Sequence, residues 1–201
     1  MTAAVGTGGI VLDLSRVGLP LSSRDLFGAP VPLELELGVG KGQFLLEWAA
    51  AHPEVGLVGV ERSRTYVRLA AQRTARKGLS NVKVVHSTAE DVLFRCLAPA
   101  SVSAVHVYFP DPWPKKRHNK RRFFRPDNVA RVAEVLSPGG VLRIKTDHRE
   151  YASVIEALLQ GESRLQRVPE EAAFEGIGTT HFEVKYAREA RAVARFAFRR
   201  L

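Results

Sequence analysis

The stretch that most restricts the fold runs from residue 33 to residue 51. Leu33-Glu34-Leu35-Glu36-Leu37 alternates with the two-residue period of a strand. It passes directly into Gly38-Val39-Gly40-Lys41-Gly42, and then into a run with helical spacing that His52-Pro53 ends. The same succession recurs down the chain. Residues 57–60 read as a second strand closing on Glu61, 66–77 as a cationic amphipathic helix ended by Gly78, 82–85 as a third strand and 90–97 as a short helix. Residues 104–109 read as a buried strand. Pro126 opens a helix with Val129, Val132, Ala133 and Leu136 on one face, and Ser137-Pro138-Gly139-Gly140 breaks it. Residues 141–145 read as a strand, followed by a helix through Tyr151, Val154, Ile155 and Leu158, a strand at 165–168 and a last one near 193–199. Strands alternating with helices predict a doubly wound α/β fold, its mostly parallel sheet covered on both faces. Residues 1–30, punctuated by Gly, Ser and Pro, are expected to form an irregular N-terminal arm. No repeat, low-complexity tract or linker divides 31–201, which is expected to be a single domain.

The glycine turn lies where a doubly wound fold binds its ligand. A dinucleotide fingerprint is G-x-G-x-x-G, with a pyrophosphate on the helix N-terminus. Here the third glycine comes one residue early, and Glu36 precedes the first by two. A buried carboxylate at that place would repel a pyrophosphate, yet it could accept hydrogen bonds from an ammonium group. That combination suits S-adenosylmethionine, with its amino-acid end and sulfonium cation. Gly38 and Gly40 are the expected backbone approach. Glu61, at the end of the second strand, can take both hydroxyls of an adenosine ribose, or it can serve as a first-turn helix acid. After the third strand, Thr88, Glu90 and Asp91 are each candidates to read the adenine.

A different chemistry follows residue 109. Pro110-Asp111-Pro112-Trp113-Pro114 sets one carboxylate and one tryptophan among three prolines, and from Lys115 to Arg125 there are seven Lys or Arg and no acid. Clustered cations repel and are costly to bury, so such a run suits a polyanion such as a phosphate backbone, or a solvated face. The whole-chain charge of +9 supports the first reading, with nucleic acid ahead of membrane. No apolar run is long enough to span a bilayer and no signal peptide is expected. Cys96 is the one cysteine, which suits a reducing cytoplasm, and the six scattered histidines suggest no metal site.

Taken together, Glu36-x-Gly38-x-Gly40-Lys41-Gly42, Glu61, Phe109-Pro110-Asp111-Pro112-Trp113-Pro114-Lys115-Lys116-Arg117-His118, Thr146-Asp147 and Thr180-x-Phe182-Glu183-x-Lys185 resemble the bacterial tRNA (guanine-N7)-methyltransferases. The likeness covers roughly Leu33 to the C-terminus. It implies a seven-stranded, Rossmann-like class I methyltransferase fold and methyl transfer from S-adenosylmethionine to N7 of a variable-loop guanine in tRNA. By position, Glu36, Gly38, Gly40, Glu61 and Thr88 would hold the cofactor. Asp111 would sit at the catalytic position, against the cofactor as well. Lys115, Asp147, Thr180, His181, Phe182 and Glu183 would contact the substrate. Thr88 is a departure, since the family usually carries an Asp there.

Guanine N7 has a lone pair and no proton to lose, so no general base is needed and placement does the catalysis. Asp111 could accept hydrogen bonds from guanine N1–H or its 2-amino group, or it could cap the turn before Pro112. Trp113 could stack on a base or wedge the loop against the core. Lys116, Arg117, Lys120, Arg121, Arg122 and Arg125 are expected to track RNA phosphates, with a second basic set at Lys185, Arg188, Arg191, Arg195, Arg199 and Arg200. Asp147 could equally be a helix N-cap. The expected partner is tRNA, and monomer and homodimer stay open. The alternative from another class is a catalytically silent RNA-binding module, against which the intact glycine turn and Glu61 weigh.

Overall fold

Every residue of the Leu33–Leu37 strand (β2) is buried, Glu34 and Glu36 included, as in a strand covered on both faces. The alternation therefore does not separate a wet face from a dry one. One of its acids is held inside by a partner, Trp48 Nε1 donating to Glu34 at 2.7 Å. This computed structural model describes residues 9–177, 183 and 192–201. The chain divides into two compact units, Met1–Ala98 and Pro99–Leu201.

In the first unit, β1 (Val11–Leu12), α1 (Ser23–Phe27) and β2 precede α2 (Gln43–Ala51), β3 (Gly56–Glu61), α3 (Arg64–Arg76), β4 (Val82–His86) and α4 (Ala89–Asp91). A π-helical turn, Val92–Cys96, follows α4. The strands run β1-β4-β3-β2, all parallel. Crossover helices produce this arrangement, because parallel neighbours cannot be joined by a tight hairpin. The stretch read as an irregular arm carries more structure than that reading allowed. Val11 and Leu12 register with Val84 and Val85, Ser22 caps α1, and Leu21 and Leu26 are buried. Two paired residues and five helical ones are too short to leave a period in the sequence.

In the second unit, β5 (Val102–Tyr108) leads through a 3-10 turn, Lys116–Arg121, to α5 (Pro126–Val135) and β6 (Leu136–Thr146). Then come α6 (Arg149–Gln160), β7 (Leu165–Arg167), α7 (Glu170–Ala173) and β8 (Ala194–Arg200). The order is β5-β6-β8-β7, with β6 parallel to β5 and β8 antiparallel to both its neighbours. α5 ends at Val135, so Leu136, expected on its apolar face, opens β6 instead, and Ser137–Gly140, expected to break the helix, lies within that strand. Its register on β5 shifts between Val102 and Ala104, which leaves Pro138 and Gly139 exposed. The inward face of α6 is Tyr151, Ala152, Ile155 and Leu159, with Ala152 and Leu159 in the places expected of Val154 and Leu158. Among the described residues there are eight strands rather than seven, the additional one being β1. No helix among them is long and apolar enough to cross a membrane.

Candidate active site

The glycine turn joins the end of β2 to the start of α2. Gly38, Gly40 and Gly42 have φ of +90°, +52° and +75°, a region where L side chains are strained, so the turn is open to glycine alone. Gly38 N–H donates to Val60 O at 2.9 Å, tying the turn to β3. A Cβ on Gly42 would press on Ala70 of α3 at 3.2 Å, whereas at Gly38 and Gly40 it would meet nothing within 4 Å. The turn therefore backs onto α3 and presents its first two glycines to open space.

Two acids sit beneath it. Glu61 is buried at the end of β3, accepting from Gly40 N–H at 2.9 Å and Ser63 N–H at 2.7 Å. It thus braces the turn and opens α3, while each carboxylate oxygen keeps a further lone pair. Glu36 is 4% exposed, and its Oε2 has no hydrogen-bond partner. Burial, followed by the charge of Glu61, pushes its carboxyl well above the ordinary range, against one backbone N–H from Leu45. Two buried acids with one unsatisfied oxygen fit a cationic ligand, and the residues present suit the ammonium-bearing end of S-adenosylmethionine. Thr88 stands after β4, exposed, and its hydroxyl accepts Asp91 N–H at 3.1 Å as the N-cap of α4. Its own O–H remains a donor. Among the described residues no group of three or more His, Cys, Asp and Glu could hold a metal ion.

In the second unit Asp111 is exposed, on a loop strained on both sides of it. Phe109 and Trp113, two residues before and two after, have φ of +54° and +42°, which costs a bulky side chain energy and is held only by surrounding contacts. Those contacts are present. Phe109 N–H donates to Lys145 O at 2.7 Å. The Asn119 side-chain amide donates to Trp113 O at 3.1 Å and Lys115 O at 3.3 Å. Trp113 carries the Arg121 guanidinium 4.9 Å from its ring centre and meets His118 edge-on at 5.8 Å. One of its faces is thus used within the loop. Lys115, Lys116, Arg117, Lys120 and Arg121 are all exposed. Arg122, expected among them on the RNA backbone, is 4% exposed and bound into the protein.

Behind the loop, Lys145 of β6 is buried and bonded to Glu183 at 2.9 Å, its Nζ lying 5.0 Å from the Tyr108 ring centre and 5.4 Å from that of Phe174. Burial depresses its pKa, opposed by Glu183. Arg195 also faces Glu183 at 3.6 Å. Asp147 is half-buried just past β6 and, with Thr146, Arg149 and Arg195, lines a cleft of about 470 Å³. The cap of α6 is instead His148, whose Nδ1 accepts Tyr151 N–H at 3.2 Å.

A protein-family model described as "Putative methyltransferase" matches residues 30–196. The tRNA (guanine-N(7)-)-methyltransferase of Mycobacterium avium is 38% identical over 94% of this chain and 74% of its own. That of Mycolicibacterium gilvum is 40% identical over 85% and 67%. The chain belongs to the tRNA (guanine-N7)-methyltransferase family. Its fold is that of the class I S-adenosylmethionine-dependent methyltransferases. It matches the SAM-dependent O-methyltransferase of Thermotoga maritima with a TM-score of 0.58, at 16% identity over 85% of this chain and 59% of that one.

The first unit brings Glu36, Gly40 and Glu61 together under the turn that Gly38 opens, with Thr88 following β4. The second places Asp111, Lys115 and the exposed cations on one short stretch. Thr180, His181 and Phe182 lie outside the described residues, as do Lys185, Arg188 and Arg191. Of the second basic set, Arg200 is tied to the Glu134 carbonyl at 3.0 Å and to that of Leu136. The sequence reading missed Lys145, Asn119, Glu150 and Tyr151. Only Tyr151 left a signal, as one apolar position of α6, and that signal concerned packing.

Proposed function

We propose that the protein transfers a methyl group from S-adenosylmethionine to N7 of a guanosine in tRNA, its two units serving one methyltransferase domain. The observation that most supports this is the partnerless buried oxygen of Glu36 beside Glu61, under a glycine turn, in a chain of this family. When bound, S-adenosylmethionine supplies an electrophilic methyl group, which N7 takes with its lone pair while the electrons of the broken C–S bond stay on sulfur. Glu36 attracts the ammonium group, Glu61 the ribose and Thr88 the adenine, with Gly38 and Gly40 allowing close approach. Asp111 orients the purine by accepting from N1–H and the 2-amino group, and its charge favours the cationic product. Lys115, Asp147, Thr180, His181, Phe182 and Glu183 contact the substrate, and Lys116, Arg117, Lys120 and Arg121 follow its phosphates. The single buried cysteine is consistent with work in the cytoplasm.

The test is to incubate the protein with tRNA and labelled S-adenosylmethionine, digest the product and identify the nucleoside. 7-Methylguanosine is expected, and label on another nucleoside refutes the assignment. Asp111→Ala should retain S-adenosylmethionine affinity by calorimetry while turnover falls about a hundredfold or more. Undiminished turnover would remove Asp111 from the reaction.

A further inference from the structure

Arg122 lies in the middle of a run of surface cations and is itself buried. Its guanidinium lies 4.7 Å from the ring centre of Tyr151, which is fully buried. It forms a two-pronged pair with Glu150, Nη1 to Oε1 at 3.0 Å and Nη2 to Oε2 at 2.6 Å. Its remaining edge, Nε–H, donates to the carbonyl of Pro112 at 2.7 Å. The Tyr151 hydroxyl in turn accepts Phe124 N–H at 3.1 Å, which fixes the strand of chain that carries Arg122. Arg122 draws the Glu150 carboxyl below its ordinary range. A guanidinium this deeply buried, with three of its five donors held by a carboxylate and a carbonyl and one face over a tyrosine ring, presents little to a phosphate.

The Pro112 carbonyl is the first acceptor after Asp111. A residue that precedes proline has a restricted backbone, and proline's own φ is fixed, so holding that carbonyl constrains the direction in which Asp111 leaves the chain. Upstream, Phe109 N–H on Lys145 O holds the other side. At these anchors the loop adopts two strained conformations, at Phe109 and at Trp113 directly after Pro112, that it would not keep unaided. We infer that Arg122, clamped by Glu150 and stacked on Tyr151, is a positioning residue that holds the Asp111 loop in its working conformation and is not an RNA ligand. The inference rests on the role proposed above for Asp111.

Substitutions that preserve charge separate the two roles. Lysine still neutralises a phosphate as a point charge, but it cannot fill the two-pronged carboxylate and the carbonyl at once. In the full chain, Arg122→Lys should lower kcat at least tenfold per molecule competent to bind S-adenosylmethionine. KM for tRNA should be unchanged, as should the slope of log Kd against log salt. Glu150→Gln, at a side chain 57% exposed, should lower kcat in the same way. The double variant should lose no more than the worse single one, because the pair acts as a unit. Wild-type kcat per competent molecule in Arg122→Lys overturns the inference, as does a salt slope flattened in Arg122→Gln. Should Arg122→Lys fail to fold, Glu150→Gln decides: a fall in kcat supports the inference and unchanged kcat overturns it. Asp111→Asn, measured alongside, distinguishes the two failures. Full activity there defeats the underlying reading, whereas an inactive Asp111→Asn beside fully active Arg122 and Glu150 variants defeats this inference alone.

Discussion

Glu36 is the residue at which burial and charge conflict most. Its folded-state proton affinity exceeds that of a carboxyl in the unfolded chain, because burial and the Glu61 charge both disfavour ionisation. Its contribution to the stability of the ligand-free protein is therefore complete below the ordinary carboxylate range and is lost as pH rises through its raised value. A ligand that brings an ammonium group reverses the preference. S-adenosylmethionine should bind more tightly as pH rises through that window and expel a proton from Glu36 on binding. Calorimetry in buffers of different ionisation enthalpy counts that proton, and Glu36→Gln should abolish the count. If the heats do not depend on the buffer, Glu36 is already ionised and the coupling is absent.

At the scale of elements, the glycine turn is held from below as well as by its own dihedrals. A Cβ on Gly59 of β3 would lie 2.5 Å from Val39 Cγ2 and 3.0 Å from Leu45 Cδ1. Gly59→Ala should thus push the turn off its strand, lowering stability by about 1–3 kcal/mol in denaturant melts and weakening S-adenosylmethionine binding in parallel. Nothing local marks Gly59 for this: in sequence it is one small residue inside an apolar strand. The strands and long helices were legible because their periods are local, and α2 spans the run expected of it. β1 and the shifted register of β6 were not, since each depends on pairing with residues tens of positions away, and α1 was not because five residues are too few to leave a period. The same limit separates Arg121 from Arg122. They are identical in type and adjacent in sequence, yet one is exposed over Trp113 and the other buried over Tyr151, and only tertiary packing decides which.

For the molecule as a whole, a net charge of +9 with exposed cations at Lys115, Lys116, Arg117, Lys120 and Arg121 should make tRNA affinity a function of ionic strength. Neutralising Lys116, Arg117 and Lys120 to Gln should flatten the plot of log affinity against log salt by roughly 0.7–0.9 for each phosphate left without its cation, with little change among tRNA sequences. An unaltered slope would take this stretch out of the interface. Two short end strands carry a separate consequence. β1 has two residues and β7 three, so the strand order of each unit ends on a row of main-chain groups too short to template a foreign strand. At β1 and β7, accordingly, a concentrated solution of this protein should offer no template for the edge-to-edge stacking that seeds fibrils.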